Sequence, residues 1–134
     1  MKREFEIIRL SRRAVLASGL VGASALVVRK SGRALAQSGV EPKLLKETPS
    51  RIAGVPKVQL VEVTLQPGAA MPTSKMDNAM IGECTQGALE VTQDENKKAT
   101  MNTGDIWTCG VGTMEGVANQ GSSAAIMRVF ILST

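Results

Sequence analysis

The chain has 134 residues, room for one domain and little more, and carries 16 basic against 12 acidic side chains. It has no histidine, no tyrosine, one tryptophan and two phenylalanines. The lack of histidine excludes Ser-His and Cys-His nucleophilic arrangements, and the shortage of aromatics excludes base-stacking platforms.

Residues 1–36 read as an address rather than as domain material. A basic start ends in Arg12-Arg13, a weakly apolar run follows over residues 15–28, and Ala34-Leu35-Ala36 offers an A-x-A cleavage site. The arginine pair before a weakly apolar run resembles a twin-arginine export signal, which predicts a periplasmic or secreted protein. The alternatives are a membrane anchor, for which the run falls short of about 20 residues, and an amphipathic surface helix. Cleavage leaves no stable membrane insertion. This leader holds eight of the 16 basic residues and two of the 12 acidic ones, so residues 37–134 carry a net charge of −2. A mildly acidic mature chain is a poor partner for nucleic acid.

Residues 37–57 read as an extended arm. Pro42, Pro49 and Pro56 make a helix hard to sustain there. From Val58 the period becomes two, with Gln59, Val61, Val63 and Leu65 on one side, until Gln66-Pro67-Gly68 turns the chain. Candidate strands follow at 80–85, 88–92, 99–102 and 106–109, with a polar hairpin tip over residues 93–98. The last candidate, 124–132, alternates Met127, Val129 and Ile131 against Ile126, Arg128 and Phe130. Seven or eight short strands without a long helix predict an all-β sandwich or small barrel. A last strand running almost to the chain end, left as an open edge, leads us to expect a homodimer. Cys84 and Cys109 can be read as a disulfide, as two buried thiols, or as one reactive thiol or soft ligand.

Two segments carry a more specific pattern. Residues 67–87 read PGAAMPTSKMDNAMIGECTQG and residues 104–119 read GDIWTCGVGTMEGVAN. Their glycine, turn and asparagine spacing resembles the paired motifs of the cupins, and the resemblance covers roughly residues 58–132. It implies a single-domain cupin, a double-stranded β-helix or jelly-roll barrel, over residues 58–134. Cupins usually hold a divalent metal with three His and one Glu. Here the two His positions of the first motif fall on Ser74 and Met76, its Glu position on Met80, and the His position of the second motif on Glu115. The family's ligands are not retained, so no metal cofactor is expected. Imidazole and carboxylate suit Fe, Mn, Ni or Zn, and thioether sulfur does not.

The resemblance implies that Ser74, Met76, Met80, Cys84 and Glu115 line an apolar, Met-rich pocket for a small molecule. The competing reading is that Met76 and Met80 plug the barrel as ordinary core. Glu115 is either a solvated rim residue or, if buried, a carboxyl of raised pKa able to serve as a catalytic acid or base in a metal-independent isomerase or lyase. A third function is Cu(I) binding through Met76 and Met80.

Overall fold

A computed structural model describes residues 38–134, so the export signal with Arg12, Arg13, Ala34 and Ala36 lies outside the described residues. The described chain is all β, with nine strands: β1 (Val40–Ile52), β2 (Val55–Leu65), β3 (Ala70–Lys75), β4 (Ala79–Gln86), β5 (Ala88–Gln93), β6 (Lys97–Asn102), β7 (Ile106–Cys109), β8 (Met114–Ala118) and β9 (Ala125–Ser133). They form a five-stranded sheet in the order β1-β2-β9-β4-β7 and a four-stranded sheet in the order β3-β8-β5-β6. Every pair of neighbouring strands runs antiparallel. No described helix is long and apolar enough to cross a membrane.

Alternation decides which face each strand buries. Val63 and Leu65 of β2, Met80 and Cys84 of β4, Trp107 and Cys109 of β7, and Ala125, Met127 and Val129 of β9 point inward from the larger sheet. Leu89 and Val91 of β5 and Val117 of β8 meet them from the smaller one. Glu62 and Arg128 lie on the opposite face, where they form an ion pair of 3.1 Å.

The stretch read as an arm is extended, and it is paired along nearly its whole length with β2, from Val40 opposite Leu65 to Ile52 opposite Val55. Pro42 and Pro49 are tolerated because β1 is an edge strand, and Pro56 falls at the start of β2, ahead of the pairing with β9 that begins at Lys57. The expectation of an open edge at the last strand is corrected: β9 sits in the centre, between β2 and β4. Two strands were not legible in the sequence. β3 carries Pro72 and a bulge that sets Pro72 and Thr73 against Gly116, so its period is broken. β8 has Gly116 at its centre, and a Cβ there would come within 2.7 Å of Thr73 Oγ1.

Candidate functional site

The inner end of the barrel is built around Glu115, which is only 7 % exposed. Register places it. On β8 it stands opposite Ser74 of β3 on one side and Gln93 of β5 on the other. Directly opposed antiparallel residues share a face, so these three polar side chains form one row across the smaller sheet.

The larger sheet supplies the rest. Trp107 Nε1 donates to Glu115 Oε2 at 3.1 Å, and Gln93 Nε2 donates to the same oxygen at 3.1 Å. The Gln93 amide also donates to the Thr108 carbonyl at 2.9 Å, which ties it to the strand that carries Trp107. The Cys109 thiol neighbours Glu115, and each group shifts the other's ionisation. Met80, 3 % exposed, stands opposite Cys109 on β4. Met76 is partly buried against the core, its backbone pinned by bonds of 2.8 Å to Thr113 and from Gly112.

Gly82 makes this arrangement sterically available. It pairs with Trp107, and a Cβ at 82 would lie 2.7 Å from indole Cε2 and Cζ2. The ring therefore lies on the bare backbone of β4, and its N–H reaches across to β8.

Burial dominates the electrostatics. Desolvation pushes the Glu115 carboxyl above its ordinary value, while hydrogen bonds from Gln93 and Trp107, and the neighbouring Cys109 thiol, pull it partly back. The Cys109 thiol is pushed up to about 11, first by burial and then by the Glu115 charge.

The candidates from the sequence separate into two places. Ser74, Met76, Met80 and Glu115 belong to one end, with Ser74 exposed at its mouth. Cys84 does not join them. It lies four residues along β4 from Met80, about 13 Å at strand rise, and its thiol donates to the Gly87 carbonyl at 3.4 Å. Both cysteines are free and buried. Sequence reasoning missed Trp107, Gln93 and Cys109 as partners of Glu115. One signal was present: Leu89, Val91 and Gln93 alternate on one face, so the amide closes an inward apolar row.

The donor set does not fit the divalent metal of the motif. Among the described residues no three Cys, Asp or Glu side chains gather as metal ligands, and the corresponding positions hold a hydroxyl, two thioethers and one carboxylate.

No family model and no curated protein matches the chain. Solved structures do. KdgF from Halomonas sp. is 24 % identical, with a TM-score of 0.59 over 72 % of this chain and 81 % of that one. An RmlC-like cupin from Shewanella frigidimarina is 12 % identical, with a TM-score of 0.59 over 72 % and 78 %. The polyketide cyclase RemF from Streptomyces resistomycificus is 14 % identical, with a TM-score of 0.60 over 71 % and 66 %. Two opposed antiparallel sheets, the paired glycine motifs and these neighbours lead to one conclusion: in fold the chain is a small cupin, a double-stranded β-helix.

Proposed function

We propose that the protein binds a small organic molecule at the Glu115 end of the barrel, with the carboxyl group as its polar anchor and Met76, Met80 and Trp107 as its apolar wall. The observation that carries this reading is a buried acid on the inner face, held in place by Trp107 and Gln93. Concave, mostly apolar sites with one or two fixed polar groups are the usual form of a small-molecule site. The export signal read in residues 1–36 would put this binding outside the cytoplasm. The test is extraction of the protein purified from its own cell. A stoichiometric small molecule that re-binds and changes Trp107 emission supports the reading; an empty extract overturns it.

A second reading is a metal-independent isomerase or lyase in which Glu115 moves a proton. The raised pKa of Glu115 favours it, because a carboxyl that stays protonated nearer neutrality is a better general acid. The fold also hosts enzymes, a polyketide cyclase among them. Turnover of the extracted compound that falls by roughly 10²–10⁴ in Glu115→Gln would establish catalysis.

A further inference from the structure

Glu115 is an acid buried among neutral partners. Its side-chain donors are an indole N–H and a carboxamide, with the Cys109 thiol as a further neutral neighbour. The ion pairs of the described residues lie elsewhere: Lys57 with Glu47, Lys98 with Glu90 and Arg128 with Glu62. A carboxylate taken out of water without a counter-charge is costly, and neutral hydrogen bonds offset only part of that cost. Asp94 acts on the neighbouring Cys109 thiol in the same direction as Glu115.

The surroundings suit a cation with an apolar body. The Trp107 ring packs against Gly82, and its N–H meets the Glu115 carboxyl. An indole face attracts a cation through its quadrupole. Met76 and Met80 supply polarizable, adaptable surface beside it. Ser74, opposite Glu115 and exposed, puts a hydroxyl where a ligand would enter.

We infer that the molecule held at Glu115 is a small organic cation, a protonated amine on an apolar body, whose N–H groups meet the buried carboxylate. This rests on the binding reading above and names the chemical class of its ligand. Trp107 is the only tryptophan of the chain, so its emission reports on the site directly.

The experiment compares n-butylammonium with its neutral isostere n-butanol at neutral pH, on the folded protein, by titration of Trp107 emission. The expected result is saturation by n-butylammonium at a concentration roughly tenfold or more below that for n-butanol, the scale of one charge-assisted hydrogen bond. Glu115→Gln should abolish the preference, and Glu115→Asp should keep it with weaker binding. Circular dichroism confirms that each variant is folded, and the comparison of isosteres on the unsubstituted protein stands if one is not. Equal binding of the two probes, no saturable binding of the ammonium, or a preference that survives in Glu115→Gln overturns the inference. Tighter binding of the neutral probe would leave the small-molecule site standing, whereas an empty native extract would remove the site itself.

Discussion

Trp107 and Glu115, eight residues apart on β7 and β8, are joined by a single N–H···O bond of 3.1 Å that links the two sheets of the barrel. The bond exists because Gly82 leaves room for the indole ring, so the carboxyl is positioned by a residue that does not touch it.

Gly82→Ala tests that dependence. The new Cβ would stand 2.7 Å from two indole carbons, and the ring must move. Overpacking of this kind costs about 1–3 kcal/mol. The expected result is a lower urea midpoint together with a changed near-ultraviolet dichroism of Trp107. An unchanged spectrum with unchanged stability would show that the ring has slack.

Glu115 should leave a pH signature in stability. Its folded pKa is raised above the ordinary 4.5, chiefly by burial. At a pH below the unfolded value both states are protonated, and the group contributes nothing to the pH dependence. As pH rises through the window between the unfolded and folded values, the unfolded chain releases its proton first and stability falls. The stability of the parent relative to Glu115→Gln should therefore decline across that window and then level off. Urea midpoints of the two proteins measured over pH 4–8 check this, and a rising difference would contradict it. Trp107→Phe removes a bond that lowers the pKa, so it should carry the decline to higher pH.

The thiols should be inert in the folded protein. Cys109 is pushed up to about 11, and Cys84 is raised by burial as well. The thiolate is the reactive form. Ellman's reagent at pH 8 should label neither cysteine natively and both in urea. In Glu115→Gln the Cys109 thiol loses a raising charge and should ionise at lower pH, read as thiolate absorbance.

Asn119 is the buried polar residue with the most structural work to do. At 1 % exposure, its amide donates to the Leu65 and Ser123 carbonyls at 2.9 Å each, and its Oδ1 accepts from the Gly121 N–H at 2.9 Å. Asn119→Ala strips all three and should cost about 2–4 kcal/mol, given the desolvation of the groups left behind. A midpoint shift well under that scale, measured in urea, would mean that water replaces the amide.

Much of the barrel was legible along the chain because strand alternation is a local property. Val61, Val63 and Leu65, or Met127, Val129 and Ile131, announce their inward face without reference to any partner, and the absence of histidine ruled out the usual metal ligands directly. What the chain could not announce was company. Residues 37–57 read as an arm because prolines argue against a helix, and nothing local says that 40–52 pair as an edge strand. The burial of Glu115 depends on the register of β8 with β5 and on the crossing of Trp107 from the other sheet, and both are set by contacts distant in sequence. Local pattern determined which side chains face inward; only the packing of one sheet on the other decided which of them meet.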